Sequence, residues 1–311
     1  MERNLALDRF RGVAIILMLI VDDLDNVLDV PRFVRHAADT GFGLADIVAP
    51  LFIFAIGATF VPSFLRRAEH NKAQAYSHFV SRYMAIIGIG AIFSAVSTIA
   101  YEYSTWGALQ AIGVAGLLTL CVVKLPAWAR AAVALAVLGV YQVLNQGPIR
   151  EEVFTTDHGG FLGAVAWGVM LILSTVMMEL YNRGMKYFLP AAGALSVLAI
   201  VSALIVPVSK NRVSASYVLV CVAICCVSYL LVDILTKKLP IKKGLISWWG
   251  ENPMLLYLLL NVVGGITQVP FVVMDIENRP LWIGLLDVLL VFTILSLIAW
   301  TLHRKNLKIK L

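Results

Sequence analysis

Charged side chains are scarce in this chain. Asp, Glu, Lys and Arg make up 14% of its 311 residues, whereas soluble domains carry roughly 25%. Apolar residues make up 60%, and they recur in runs of about 20, the length that crosses a hydrocarbon core of about 30 Å. The scarcity of charge excludes a soluble globular domain. In lipid the runs must be helices, because every backbone polar group needs a partner within the protein.

Cysteine is scarce as well. The chain has four cysteines, Cys121, Cys221, Cys225 and Cys226, all within apolar runs and without a C-x-x-C pair. This excludes the cysteine spacing typical of redox and zinc sites, and we expect no metal. Internal repeats and low-complexity tracts are also lacking. The lack of repeats argues against a transporter, because many transporters are built from two related halves.

Ten apolar segments predict an all-α, polytopic membrane protein with about ten transmembrane helices. The connections between them are short and leave no room for a soluble domain, so we interpret residues 1–311 as a single transmembrane domain. The predicted spans are roughly 10–24, 45–65, 82–101, 106–123, 127–144, 160–181, 187–206, 214–236, 252–272 and 281–302.

The basic residues indicate how the chain lies in the membrane. When Lys and Arg are sorted by alternate connections, 19 of the 25 fall on the side that holds both termini and 6 fall on the other. Basic residues collect on the cytoplasmic side, so both termini are expected there. This distribution explains the net charge of +6 without a nucleic acid partner. The expected location is a plasma membrane, in particular the inner membrane of a bacterium.

A lone histidine stands between the first two spans. His36 falls on the predicted extracytoplasmic side, and four acids are predicted near the same membrane face: Asp22, Asp23, Asp39 and Asp46. A histidine oriented by a carboxylate is a common general base for acyl transfer to an amine or hydroxyl, and it can also accept the acyl group itself. The simpler alternatives are a solvated loop histidine, a helix cap at Asp46 and an exit charge at Asp22. His158 is a competing base.

Other polar residues have two interpretations each. Arg3 and Arg11 either contact lipid headgroups or bind the phosphates of an acyl carrier, for which guanidinium groups are suited. Gln110 and Asn252 either form hydrogen bonds between helices or donate to a developing oxyanion. Lys210 is, by the simpler interpretation, an outer-loop charge.

Two motifs occur within the first 57 residues. One is LD-x-x-RG in the first span, and the other has the form HA-x-x-x-G-x-x-x-AD-x-V-x-P-x-F-x-F-x-x-G. Together they resemble the transmembrane acyltransferase family of heparan-α-glucosaminide N-acetyltransferase, and weaker matches keep the family's order along most of the chain. The matching residues are Leu7, Asp8, Arg11 and Gly12, then His36 to Gly57, then GALQAIG (107–113), DHGGFLG (157–163), PVSKNRVSASY (207–217) and GENPMLLY (250–257).

The resemblance implies a membrane acetyltransferase. Such an enzyme moves an acetyl or other short acyl group from cytoplasmic acetyl-CoA, its donor substrate, to an amine or hydroxyl of a sugar-like acceptor on the far side. The expected partners are membrane lipid, acyl-CoA and a sugar or glycan acceptor, with a homodimer as one option for assembly. On this interpretation the catalytic residues are His36, Asp46 and Asp22, and the coenzyme-binding residues are Arg3, Arg11, Gln110, Lys210 and Asn252.

The chain departs from the family at two positions. Asp22 stands where the family usually has Asn after the first span, which bears on the acceptor or on the hydrogen bond made to the acyl group. Ala111 replaces the Arg that follows the glutamine of the fourth span.

Three alternatives compete with this interpretation. The O-acyltransferases of cell-envelope polysaccharides share LD-x-x-RG but usually place a histidine ten residues after the arginine, where this chain has Val21. A small-solute transporter would also carry charges within the membrane. A non-catalytic membrane scaffold would tolerate substitution of Arg11, His36 and Asp46 together.

Overall fold

The computed structural model describes residues 4–25, 27–101, 106–239, 244–274, 276 and 279–309, with the side chains of 96–101 and 272 left aside. These residues form twelve α-helices and one 3₁₀ turn, and their only β-type pairing is an isolated bridge between Val27 and Arg279. The predicted all-α fold is therefore confirmed. The helices are α1 (Leu5–Leu24), α2 (Leu44–His70), α3 (Lys72–Tyr101), α4 (Ala108–Val122), α5 (Ala127–Asn145), α6 (Arg150–Thr155), α7 (Gly160–Arg183), α8 (Met185–Ile205), α9 (Ala215–Lys238), α10 (Leu245–Trp249), α11 (Pro253–Val273) and α12 (Leu281–Arg304), and the 3₁₀ turn is Asp157–Gly159.

Within the described residues, eight helices are long and apolar enough to cross a membrane: α2, α3, α5, α7, α8, α9, α11 and α12. The chain is therefore a polytopic membrane protein. The two other predicted spans also form helices, but α4 has only 15 residues and α1 carries Asp8, Arg9, Arg11, Asp22 and Asp23. The count of ten crossings and the side of the termini stay predictions. The sequence does not predict helices α6 and α10, because six and five residues are too few for a periodic pattern.

The chain divides into two compact units. Unit 1 contains Met1–Ala37, Gly43–Phe52 and Val227–Leu311, and unit 2 contains Ala38–Phe42 and Ile53–Cys226. Helices α2 and α9 therefore contribute residues to both. The single transmembrane domain over residues 1–311 stays a prediction.

In unit 1, helix α1 packs against α10, α11 and α12. Their buried apolar side chains form one cluster that includes Trp249. The approach of α1 to α10 is so close that it requires two glycines. A Cβ atom at Gly12 would overlap the carbonyl oxygen of Ile246, and one at Gly250 would overlap that of Asp8. The glycine of LD-x-x-RG therefore serves helix packing.

In unit 2, helix α7 is the most buried. In its most apolar stretch 83% is buried, against 17% for α8, so the surface of α8 is available to lipid. Helix α7 packs against α4, α5 and α8. A buried cation also joins α5 to α7, because Arg130 donates to Oγ1 of Thr175 at 2.6 Å and pairs with Glu179. A buried charge needs partners of this kind.

We predict that Gly250→Ala destabilises the protein, because the added methyl group meets the backbone of α1 and not a side chain that can move. Overpacking of this kind costs about 1–3 kcal/mol. Gly265→Ala is the matched control, since nothing lies within 4 Å of its Cβ position and alanine is the better helix former. Thermal unfolding in detergent should show a lower midpoint for Gly250→Ala only. An unchanged midpoint would contradict the contact between α1 and α10.

Candidate active site

The connection between α1 and α2 folds back onto the first turn of α2. A helix begins with backbone N–H groups that have no partner within the helix. In unit 1 the N–H of Leu44 donates to the carbonyl of Phe33 at 2.6 Å, and that of Ala45 donates to the carbonyl of Val34 at 3.2 Å. These bonds bring His36 beside the start of the helix.

His36 and Asp46 form a hydrogen-bonded pair. Nδ1 of His36 lies 2.8 Å from Oδ1 of Asp46. The other carboxylate oxygen, Oδ2, accepts from the N–H of Gly43 at 2.8 Å and from that of Ala37 at 3.2 Å. A carboxylate only accepts, so Nδ1 carries the proton and Nε2 is the basic nitrogen of the ring.

The two partners differ in exposure. The side chain of Asp46 is 0% exposed, whereas that of His36 is 40% exposed. Asp46 lies in the first turn of α2, where the helix dipole favours negative charge, and its bond to Gly43 also caps the helix. The same carboxylate therefore caps α2 and forms the hydrogen bond with His36. The catalytic roles of both residues stay predictions.

The lack of a side chain at Gly43 allows the connection to pack this closely against the start of α2. Its N–H donates to Asp46, and a Cβ atom at this position would overlap the carbonyl oxygen of Arg35. Arg35 is itself held, because its Nη2 donates to the carbonyl of Val27. Sequence reasoning missed Gly43, since the motif assigns its glycine to position 41. The only signal was a second glycine two residues later.

The two aspartates at the end of α1 have different surroundings. Asp22 is exposed, whereas Asp23 is 2% exposed. Asp23 interacts electrostatically with Asp287 and Arg279, and Nη1 of Arg279 donates to Oδ2 of Asp287 at 3.1 Å. Sequence reasoning placed both Asp22 and Asp23 at the membrane face of His36 and assigned catalysis to Asp22. It did not predict that Asp23 is buried in this cluster, although a carboxylate in the apolar run of α12 was a signal for it. The catalytic role of Asp22 stays a prediction.

The predicted phosphate-binding arginines lie near the start of the chain. Arg3 is outside the described residues. Arg11 is on α1, with a side chain that is 22% exposed and an Nη1 atom 3.9 Å from Oδ1 of Asp8, one turn earlier. LD-x-x-RG thus places an acid and an arginine on one face of α1. The role of Arg11 toward phosphate stays a prediction.

Asn252 ties the C-terminal segment to the start of α11. Its Nδ2 donates to the carbonyl of Leu307 at 3.1 Å, and its Oδ1 accepts from the N–H of Ile309 at 2.8 Å. The side chain is buried. The amide therefore has a structural role, which resembles the hydrogen bonding between helices that was the simpler interpretation of this residue. Its predicted contact with the coenzyme stays a prediction.

Three further candidates belong to unit 2. Gln110 is buried, and its Oε1 accepts from the N–H of Gly107 at 2.9 Å and from the hydroxyl of Ser94 at 3.3 Å, so that it caps the start of α4. Lys210 is partly buried in the connection before α9. His158 adopts a positive φ of 54° in the 3₁₀ turn before α7. Their roles at a site stay predictions.

A second acid, Asp39, is held within unit 2. Nε of Arg212 donates to its Oδ1 at 2.9 Å while Nη2 pairs with its Oδ2, and the hydroxyl of Ser209 donates to Oδ1 at 3.0 Å. The N–H of Gly41 also donates to the carbonyl of Val208 at 2.9 Å. The hydrogen bonds from the Arg212 guanidinium hold the pKa of the Asp39 carboxyl below its usual range.

Comparison with known proteins bears on the first half of the chain. The sequence profile of the family described as Heparan-alpha-glucosaminide N-acetyltransferase, catalytic, matches residues 3–158. The chain belongs to this family. Together with its apolar helices, membership makes it a transmembrane acetyltransferase, as the motifs predicted.

The matched region contains the His36–Asp46 pair and ends before Lys210 and Asn252. No curated protein matches the acetyltransferase. Over the part of the chain that the structure describes, no group of three or more His, Cys, Asp or Glu side chains is placed to hold a metal ion.

Because His36 is the predicted general base, we predict that Gly43→Ala lowers the kcat of the acetyltransferase about 100-fold, a loss that a misplacement of about 1 Å can cause. The added Cβ meets the backbone of Arg35 and moves His36 away from Asp46. Acetyl transfer from radiolabelled acetyl-CoA to a panel of amino sugars measures the effect. Thr40→Ala, at an exposed position of the same connection, is the control and should keep its activity. Full activity of Gly43→Ala would refute this account of the glycine.

We predict that the Asp39–Arg212 pair stabilises the acetyltransferase at neutral pH and stops doing so in acid. Because the pKa of Asp39 is lower in the folded state, its contribution is complete above the usual pKa of aspartate, about 3.9, and is lost as pH falls through the lowered value. The unfolding midpoints of wild type and Asp39→Asn should therefore differ at pH 7 and converge in acid. A difference that is constant with pH would exclude this pair as the cause.

Proposed function

We propose that this acetyltransferase moves an acetyl or other short acyl group from acyl-CoA to an amine or hydroxyl of a sugar-like acceptor, with His36 as the catalytic residue. The observation that carries the proposal is the hydrogen bond between His36 and Asp46 at 2.8 Å, in which the acid is closed off from solvent and the imidazole is exposed. A catalytic imidazole must reach its substrate, whereas the acid that orients it need not.

The chemistry follows from the proton on Nδ1. In direct transfer, Nε2 of His36 takes the proton of the acceptor while the acceptor nitrogen or oxygen attacks the thioester carbonyl. The C–S bond then breaks, and the CoA sulfur leaves with the proton that His36 returns. Asp46 holds Nδ1–H and stabilises the imidazolium. In the two-step form, Nε2 attacks the thioester carbonyl and the C–S bond breaks, so that CoA leaves as the thiolate and takes a proton from water while the acetyl-imidazolium keeps Nδ1–H. The acceptor then attacks the acetyl carbonyl, the bond from the acetyl carbon to Nε2 breaks, and the acceptor proton is released to water.

The donor in this proposal is acetyl-CoA, a substrate, and its phosphates are bound by Arg11 with Arg3. Guanidinium groups match phosphate oxygens with two parallel hydrogen bonds. The buried Asp8 lies 3.9 Å from the Arg11 guanidinium and so limits where it can point. The further candidates for the coenzyme are Gln110, Lys210 and Asn252.

Charge distribution supports a donor on the cytoplasmic side and an acceptor on the extracytoplasmic side of a bacterial inner membrane. On this topology 19 basic residues fall on the side of the donor and 6 on the side of the acceptor, as expected for cytoplasmic termini. Asp22 is exposed at the end of α1, where a second acid can contact the acceptor.

We predict that His36→Ala lowers turnover with acetyl-CoA and amino sugars about 100- to 10,000-fold, the usual contribution of a general base. Asp46→Asn should also lower kcat strongly, because an amide does not select the tautomer with a proton on Nδ1. His70→Ala, at an exposed position at the end of α2, is the matched control and should match wild type. Labelled product with wild type and no loss in His36→Ala would refute the assignment.

The same labelled donor distinguishes the remaining possibilities. Label that stays on the protein when no acceptor is added would identify the two-step form. In sealed vesicles with the native orientation, an external acceptor should be acetylated only when acetyl-CoA is enclosed. Solute uptake without labelled product would instead favour a transporter. The absence of both solute uptake and labelled product would favour a scaffold.

A further inference from the structure

The connection that carries His36 is tied to the segment before α12. The N–H of Leu28 donates to the carbonyl of Arg279 at 2.8 Å, and Val27 and Arg279 form the isolated bridge. Val27 is 1% exposed, and its side chain packs against α12 at Gly284, where an added Cβ atom would overlap it. Backbone and side-chain contacts within unit 1 therefore hold the start of this connection.

Arg279 is itself held by its side chain. Its guanidinium is buried, and Nη1 donates to Oδ2 of Asp287 on α12 at 3.1 Å. The guanidinium also lies over the ring of Phe271 on α11, 4.8 Å from the ring centre. Asp23 of α1 adds a second negative charge nearby, but its Oδ2 has no hydrogen-bond partner among the described residues. Asp287 is therefore the acid that orients the guanidinium.

Stability alone is a poor explanation for this buried ion pair. Taking both charges out of water costs about as much free energy as their attraction returns, and apolar side chains of similar volume often replace such pairs without loss of stability. The pair lies where the connection is bonded to the rest of unit 1. Fixing the position of that connection explains its location better.

The start of the connection is coupled to His36 through the residue before it. Nη2 of Arg35 donates to the carbonyl of Val27, and the neighbouring carbonyl groups accept from the first turn of α2. The imidazole therefore lies between two anchors, which are the start of α2 and the segment that Arg279 holds. Position matters here, because a displacement of about 1 Å can cost about 100-fold in rate.

We propose that Arg279 is a positioning residue for acetyl transfer and that it acts on His36 through the bridge to Val27. Asp287 holds the guanidinium, the bridge holds the start of the connection, and Arg35 fixes the imidazole relative to it. The imidazole then keeps its hydrogen bond to the carboxylate at the start of α2. This inference rests on the proposed role of His36 as the catalytic residue.

Steady-state kinetics of the purified full-length protein, with radiolabelled acetyl-CoA and the panel of amino sugars, test this role. Arg279→Gln removes the charge that pairs with Asp287 and should lower kcat about 10- to 100-fold, the range expected for a misplaced reacting group. The KM for acetyl-CoA should stay unchanged. Arg279→Lys keeps the ion pair and should restore most of the kcat.

Two arginine variants are the controls. Arg32→Gln changes an exposed arginine of the same connection and should leave kcat unchanged. Arg130→Gln breaks a buried ion pair within unit 2, so it should lower the unfolding midpoint but leave the kcat of the folded protein unchanged.

A double variant separates positioning from a general loss of structure. In the His36→Ala background there is no imidazole to position, so Arg279→Gln should cause no further loss of the residual turnover. A general loss of structure would instead lower turnover by the same factor in both backgrounds, because independent effects are additive in free energy.

Gly284→Ala tests the same route without changing a charge. The added Cβ atom displaces Val27, so kcat should fall and the residual turnover of His36→Ala should not. Gly265→Ala is the matched control, since nothing lies within 4 Å of its Cβ position. This pair of variants decides the question if Arg279→Gln does not fold.

The positioning role is overturned if Arg279→Gln or Gly284→Ala folds and keeps the wild-type kcat, or lowers the residual turnover of His36→Ala by the factor seen in wild type. It is also overturned if Arg130→Gln lowers kcat as much as Arg279→Gln does. If His36→Ala keeps full turnover, the proposed function fails and the positioning role fails with it. If His36→Ala alone loses turnover, the proposed function stands and only the positioning role fails.

Discussion

Burying a carboxylate costs free energy unless hydrogen bonds replace its water, and Asp46 meets this condition with three. It accepts from the ring of His36 and from the N–H groups of Ala37 and Gly43. These bonds join the connection between α1 and α2 to the first turn of α2. The same bonds select the protonated nitrogen of His36. The fold of this connection and the protonation pattern of the His36 ring therefore both depend on the side chain of Asp46.

The contact between α1 and α10 gives the family motifs a physical meaning. LD-x-x-RG and GENP lie about 240 residues apart in the sequence, yet Gly12 and Gly250 each allow one helix to approach the backbone of the other. The acid and arginine of the first motif share a face of α1 because they are three residues apart. One motif thus combines a packing position with a charged pair. Only the charged pair is a candidate for contact with a substrate.

In unit 2 the carboxylate of Asp39 is stabilised, among the described residues, by side chains and not by backbone N–H groups. Asp39 is satisfied by Arg212 and Ser209, so the segment 38–42 is held by the connection before α9.

The sequence alone determined the helical membrane fold and the family, because long apolar runs have one structural solution in lipid and the two N-terminal motifs are specific. It also placed His36 and Asp46 near one another, since they are ten residues apart across one short connection. Tertiary structure alone decided that Asp23 is buried and Asp22 exposed, because neighbours on a helix point about 100° apart and only packing chooses between them. It alone paired Asp39 with Arg212, 173 positions away, because a contact between distant segments depends on the packing of every helix between them.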